Sequence, residues 1–392
     1  MLYGKEDVLH HSRLPFYRDP PGALASGETL TIRIKLKKAW EEARGGSTHV
    51  LFSGELADRP ILQEMIRKEV EGDYIVFEGK IQTPEDATGL LRYFFILNDG
   101  QQLHYYLGES GLGGLCSEDD GRRYQITLYD GSFSTPEWTR HGVLYHIFVD
   151  RFARGEGRGG LARADYHRSL GRRIHAHENW DELPLYTPHD GEEEYHPDDF
   201  FGGDIEGIRR KLPYLADMGV TGLYLSPIFE SPSNHKYNTS DYKKLDPMFG
   251  AEEDFERLCA EAEALGIRIL LDGVFSHTGD DSLYFNRHGH YPTVGAYQSA
   301  DSPYYPWYRF TEYPREYDSW WGFETLPNVN EMEEGYKDFI LGEDGVISHW
   351  LTKGADGWRL DVADQLPDAF MQDLRRAAQP VGGANLPLGE VW

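Results

Sequence analysis

Three short segments carry side chains suited to breaking a bond. They read Asp272-Gly273-Val274-Phe275-Ser276-His277, Gly357-Trp358-Arg359-Leu360-Asp361 and Gly389-Glu390. Each closes a run of strand type, and in a parallel α/β barrel the active site lies where the strands end. Arg359 and Asp361 are two residues apart, so on a strand they face the same way. A retaining glycosidase needs two carboxyls about 5–5.5 Å apart, one as nucleophile and one as acid/base. Neighbouring strands lie about 4.7–4.9 Å apart, so Asp361 and Glu390 on adjacent strands meet that separation. Arg359 beside Asp361 predicts a lowered pKa and an ionised nucleophile. Burial close to that anion suits Glu390 to carry a proton, as a donor must.

The surrounding pattern alternates strand and helix. Apolar strand candidates fall at 143–149, 220–226, 267–275, near 355–361 and at 386–391. The run from Val143 to Val149 has the composition of a strand buried on both faces. Between the strands, Ile205, Ile208, Leu212, Leu215 and Met218 recur at helical spacing, with Asp204 as N-cap, Gly219 as the stop and Pro213 as an expected kink. A second helix over 251–265 places Phe255, Leu258, Ala262 and Leu265 on one face, with Gly266 ending it. The connections 152–200 and 278–335 are long, and loops of that length are functional or form small subdomains.

The first 137 residues read differently. Leu30, Ile32, Ile34 and Leu36 alternate with polar residues, and 74–81, 91–97, 102–107 and 124–129 look similar. Asn98-Asp99-Gly100 is a hairpin turn signal. These features predict an N-terminal β-sandwich, a linker at Pro136 and a second domain over 138–392 with a subdomain inserted at about 278–335.

The formal net charge is −27, which disfavours nucleic acid and anionic membrane as partners and suits a neutral ligand. No apolar run approaches membrane-spanning length, the first residues lack the apolar core of a signal peptide, and the two cysteines, Cys116 and Cys259, are far apart. Together these predict a cytoplasmic protein with reduced thiols. His175, His177, His189 and His196 lack tight ligand spacing and read as a solvated loop rather than a metal site. Glu192-Glu193-Glu194 reads as surface, and the aromatics Tyr304 to Tyr308 and Trp320-Trp321 suit subdomain core and sugar platform equally.

In order, the three charged segments resemble motifs of the α-amylase family of glycoside hydrolases, built on a (β/α)8 TIM barrel. Phe201-Gly202-Gly203-Asp204, Ser226-Pro227-Ile228-Phe229, the stretch from His235 to Tyr242 and Leu326-Pro327-Asn328-Val329-Asn330 resemble its neopullulanase, cyclomaltodextrinase and maltogenic amylase branch. That branch carries a starch-binding-like module at the N-terminus and often dimerises through it. The resemblance implies Asp361 as nucleophile, Glu390 as acid/base and Arg359 as the group that orients the nucleophile. It implies that His277 hydrogen-bonds the sugar at the cleavage point with Tyr237 stacked beneath it, that Asp272 in the same substrate-binding set is a supporting carboxylate tied to Arg359, and that Asp241 is structural. Trp321 joins them as an aromatic sugar contact.

Two departures narrow the expectation. Ser276 replaces an asparagine that helps bind Ca2+ in many members, so no cofactor is expected to be required. Asp364-Gln365 replaces a Lys-His pair of typical α-amylases, which points away from a plain endo-amylase. The family's fourth motif, a His-Asp pair on a seventh strand, has no counterpart here, and the expected barrel is truncated after its fifth strand. Such a piece is expected to be poorly stable and inactive alone. The expected activity is hydrolysis of α-glucans (cyclodextrins, pullulan or maltooligosaccharides). The competing readings are an α-glucan-binding protein without turnover and a transglycosylase on the same fold.

Overall fold

The computed structural model describes residues 6–43, 48–56, 58–98, 102–107, 114–117, 122–156, 160–189, 191, 193, 195–378 and 386–392. Asp99, Gly100, Glu192 and Glu194 lie outside the described residues, as does the side chain of Cys116. The chain divides into two compact units, Met1–Ser134 and Thr135–Trp392.

The first unit is a mostly antiparallel β-sheet domain. Its strand Arg59–Glu71 pairs through residues 59–65 with His49–Leu56 and through residues 66–71 with Tyr74–Gln82. It thereby joins two halves of sheet that enclose one apolar core, including Ile32, Ile34, Phe52, Phe95 and Tyr124. The alternation from Leu30 to Leu36 points all four apolar side chains into that core. The strands His49–Leu56 and Arg59–Glu71 are not evident from composition, because the second is polar and its Leu62, Ile66 and Val70 are exposed.

The second unit holds five parallel strands in sequential order: β1 (Leu144–Ile147), β2 (Gly222–Leu225), β3 (Arg268–Gly273), β4 (Gly357–Leu360) and β5 (Leu386–Gly389). Crossover helices connect them, the arrangement of a partial TIM barrel. Helix α1 (Ile205–Asp217) starts where Asp204 accepts the Gly207 N–H at 2.7 Å, and it runs on through Pro213. Ile205, Ile208, Leu212 and Leu215 are buried, whereas Met218 is half exposed. Helix α2 (Glu252–Ala264) behaves alike, with Phe255, Leu258 and Ala262 buried and Leu265 exposed. Both exceptions sit at C-caps, where Gly219 and Gly266 turn the chain at φ +82° and +74° and the side chain leaves the apolar stripe. The expected burial of β1 on both faces also fails at Val143 and Leu144. Among the described residues this strand pairs on one side only, with β2, and Val143 and Leu144 stay exposed.

Register is what delivers the site. Asp272 of β3 lies opposite Arg359 of β4, and Leu360 of β4 lies opposite Gly389 of β5. A slip of one residue would turn Arg359 to the other face. The β4–β5 approach is close enough that Gly357 is obligatory, since a Cβ there would stand 2.3 Å from the Leu386 carbonyl oxygen. We expect Gly357→Ala to force the strands apart, lowering stability by about 1–3 kcal/mol or more. Faster amide hydrogen exchange along residues 386–390, with α1 unchanged, is the expected readout; unchanged exchange there would refute the close-approach argument.

Candidate active site

Arg359 is the hub. Its Nη1 donates to Asp272 Oδ1 and to Asp361 Oδ1, both at 2.7 Å, and its Nη2 lies 2.6 Å from Glu390 Oε2. Main-chain bonds continue the strand pairing past the strand ends and fix the carboxyls. The Asp361 N–H donates to the Gly273 carbonyl at 3.1 Å and the Glu390 N–H to the Leu360 carbonyl at 3.0 Å. Val362 turns left-handed at φ 45°, and its N–H donates to Glu390 Oε2 at 3.1 Å while Ala363 N–H donates to the Glu390 carbonyl at 2.8 Å. Sequence reasoning did not single out Val362; a β-branched residue gives no sign that it will be left-handed.

Asp272 Oδ2 is held by two phenols, Tyr224 at 2.6 Å and Tyr237 at 2.9 Å. Tyr224 on β2 was also not singled out. Its ring stacks on His146 at 4.5 Å and faces the Arg359 guanidinium at 5.3 Å. The available signal was a phenol inside an otherwise apolar strand whose neighbours end in charged residues. Tyr237 has its hydroxyl on Asp272 and keeps its ring partly exposed. Its carbonyl also takes a hydrogen bond from His277 Nε2 at 3.2 Å. A carbonyl only accepts, so Nε2 carries the proton and Nδ1 accepts from Ser276 Oγ at 3.1 Å.

Electrostatics corrects one expectation. Arg359 does not hold Asp361 below the usual carboxylate range. Burial raises its pKa more than the guanidinium lowers it, and Glu390 adds a second negative charge. Burial pushes Asp272 up to about 7 against the pull of Arg359 and Tyr224. One cation serves three carboxyls here, so it offsets only part of their desolvation. Burial lowers His277 to about 4, which leaves a neutral ring near pH 7. Glu390 departs from the expected burial as well: its side chain is 34% exposed and paired with Arg359.

Trp321 lies at a rim. It is 62% exposed, has φ 51° and stacks on Trp320 at 4.8 Å with the rings 5° apart. Trp320 in turn lies 5.7 Å from the His277 ring and donates its indole N–H to Gln365 Oε1 at 3.2 Å. Ser276, Asp318 and Arg309 line the same recess. By contrast Trp307 and Tyr308 are buried, so that part of the aromatic run is subdomain core. The segment Leu326 to Asn330 docks on the end of β3, with Thr278 N–H on the Pro327 carbonyl at 3.1 Å and Val329 N–H on the Ser276 carbonyl at 3.0 Å.

The His-rich segment is not wholly solvated. His177 is buried and bonded through Nδ1 to Glu182 at 2.9 Å and through Nε2 to Asp199 at 3.1 Å, so the fold uses it to pin the loop. Ser276 Oγ is engaged by His277, and among the described residues no three His, Cys, Asp or Glu side chains gather as a metal centre requires. No helix among the described residues is long and apolar enough to cross a membrane.

A family model, the catalytic domain of alpha-amylase, matches residues 146–381. The chain belongs to the α-amylase family. That span includes Tyr237, Asp272, His277, Arg359 and Asp361, while Glu390 lies just beyond it. The chain is 38% identical to an amylopullulanase of Thermoanaerobacterium saccharolyticum, over 99% of this chain and 32% of that protein. It is 32% identical to neopullulanase 2 of Thermoactinomyces vulgaris, over 79% of this chain and 48% of that protein. It therefore spans about a third to about a half of these relatives' length. Among solved structures, the cyclic α-maltosyl-(1→6)-maltose hydrolase of Arthrobacter globiformis in complex with maltose matches with TM-score 0.51 and 31% identity, over 66% of this chain and 52% of that one. The type III pullulan hydrolase of Thermococcus kodakarensis shares the fold with TM-score 0.59, over 98% of this chain and 61% of that one.

The folded Asp272 carboxyl keeps its proton to higher pH than an unfolded one. Its contribution to stability is therefore present below the unfolded pKa and lost as pH rises toward about 7. We expect a carbon-13 NMR titration of Asp272 to show a midpoint near about 7. Tyr224→Phe removes a donor to the ionised form and is expected to move that midpoint up. A midpoint that stays or falls would sink the assignment.

Proposed function

We propose that this protein hydrolyses α-glucans by double displacement with retention at the anomeric carbon. The observation that carries the reading is the single Arg359 guanidinium shared by Asp272, Asp361 and Glu390 at the ends of three adjacent strands. Asp361 and Glu390 each bind that guanidinium, at 2.7 and 2.6 Å, an arrangement compatible with the about 5–5.5 Å separation of the carboxyls in retaining glycosidases.

In this reading Asp361 attacks the anomeric carbon while Glu390 protonates the departing glycosidic oxygen. The C–O bond breaks and a glycosyl ester forms on Asp361. Water then gives its proton to Glu390 and displaces the Asp361 carboxylate, so the second inversion restores the α configuration. Partial exposure of Glu390 lets both leaving group and water reach it. Arg359 fixes the carboxylate of Asp361 along its line of attack. Asp272 and the neutral His277 ring bind hydroxyls of the sugar at the cleavage point, Tyr237 offers its ring face, and Trp321 contacts the sugar beyond it. The substrates we assign are pullulan, cyclodextrins and maltooligosaccharides, supported by the likeness to amylopullulanases and a neopullulanase.

The test pairs two substitutions in the full chain. Asp361→Asn is expected to lower hydrolysis of maltotriose and pullulan by at least about a thousandfold. Glu390→Gln is expected to do the same on these sugars, yet to spare the first step on an aryl glycoside whose leaving group needs no protonation, read as a burst of released phenol ahead of a slow second step. Wild-type rates for Asp361→Asn, measured as reducing-sugar release, would overturn the reading.

A further inference from the structure

Next to Tyr237 the fold buries a charge that the chemistry above does not use. Lys236 is fully buried, and its Nζ lies 2.7 Å from Asp246 Oδ2 and donates to the Ser231 carbonyl at 2.9 Å. The rings of Phe200 and Phe249 face the same ammonium at 5.2 and 5.3 Å. Asp246 is itself saturated: it also meets His167 Nε2 at 3.0 Å and accepts the N–H groups of Met248 at 2.9 Å and Ser231 at 3.2 Å. Desolvating such a pair is expensive, and an apolar pair would serve packing as well.

What the pair does hold is a backbone turn. Lys236 has φ +65°, a conformation unfavourable for a side chain with a Cβ. Its amide is tied to Ser233 Oγ at 3.0 Å, and the next amide, of Tyr237, to His235 Nδ1 at 3.1 Å. The turn gives Tyr237 two contacts at once: its hydroxyl reaches Asp272 at 2.9 Å and its carbonyl reaches His277 Nε2 at 3.2 Å. Strained backbone of this kind persists only where surrounding contacts over-determine it.

We infer that Lys236 is a positioning residue, whose buried pair with Asp246 locks the left-handed turn that aims Tyr237 at Asp272 and His277. Its action on catalysis rests on the hydrolase reading above; its action on the turn does not.

The experiment separates the two. Lys236→Met and the doubly neutral Lys236→Met/Asp246→Asn are prepared in the full chain, the second because it leaves no buried charge unpaired. NMR follows hydrogen exchange of the His277 Nε2–H, with the amides of the β2–β3 pairing as the reference for global folding. We expect the His277 proton to exchange about tenfold faster or more in both variants while the reference amides keep their rates. In hydrolysis of maltotriose we expect kcat to fall about 10–100-fold with KM changed far less, because a displaced Tyr237 mispositions the reacting groups. Unchanged His277 exchange in the double variant overturns the inference. So does acceleration of His277 and the reference amides together, which would make the pair a general stabiliser. If the wild-type chain hydrolyses no α-glucan, as expected of a barrel truncated after its fifth strand, the exchange result alone decides the role of Lys236.

Discussion

One buried guanidinium organises this half-barrel. Arg359 meets carboxyls from the ends of β3, β4 and β5, and no other cation pairs with Asp272 or Asp361 among the described residues. Charges out of water are tolerated only when geometry and further hydrogen bonds are good. The sheet supplies that geometry through the Asp272–Arg359 register and the Gly357 contact, and Tyr224 and Tyr237 supply the additional donors. The compensation is incomplete by design of charge count. Two carboxyls remain in excess of one cation, so burial, which raises Asp272 and Asp361, is only partly offset by the guanidinium.

In the hydrolase reading proposed above, that imbalance has a chemical use. A site with more carboxyls than cations favours a partner that brings positive charge. The oxocarbenium-like transition state of glycoside cleavage does so transiently, whereas the neutral sugar does not. Stabilisation appearing only at the transition state is what raises a rate. The neutral His277 ring adds hydrogen bonding without adding a competing cation.

How much of this was legible in the sequence depends on what each residue obeys. Asp204, Ile208, Leu212 and Leu215 follow helical period and capping chemistry, so α1 could be read directly. Asp272, Arg359, Asp361 and Glu390 end their strands, so their convergence followed from the parallel fold. Met218 and Leu265 were misplaced because the pattern continues one step past the point where a left-handed glycine ends the spiral. Asp361's pKa was misjudged because adjacency in sequence displays Arg359 and hides the burial and the competing claims of Asp272 and Glu390 on the same cation. Tyr224 escaped because a phenol on a buried strand looks like core until its hydroxyl finds a carboxylate across the sheet.

Strain marks the same place. Among the described residues the non-glycine positions with positive φ are Asp58, Lys236, Asn286, Trp321 and Val362. Three of these lie beside the site: Lys236 precedes Tyr237, Val362 follows Asp361, and Trp321 is the exposed ring stacked on Trp320. Left-handed backbone at non-glycine residues costs on the order of 1–3 kcal/mol each. A loop free to relax would not keep it, so each strained residue needs its own restraint. Lys236 has a buried ion pair, Val362 donates its amide to Glu390, and Trp321 lies in a parallel stack with Trp320. In each case the restraint and the strained bond act on a neighbouring functional side chain or on the strained residue's own ring. The fold thus holds the strain at Lys236 and Val362 with contacts drawn from other segments of the chain, and at Trp321 with the ring next to it.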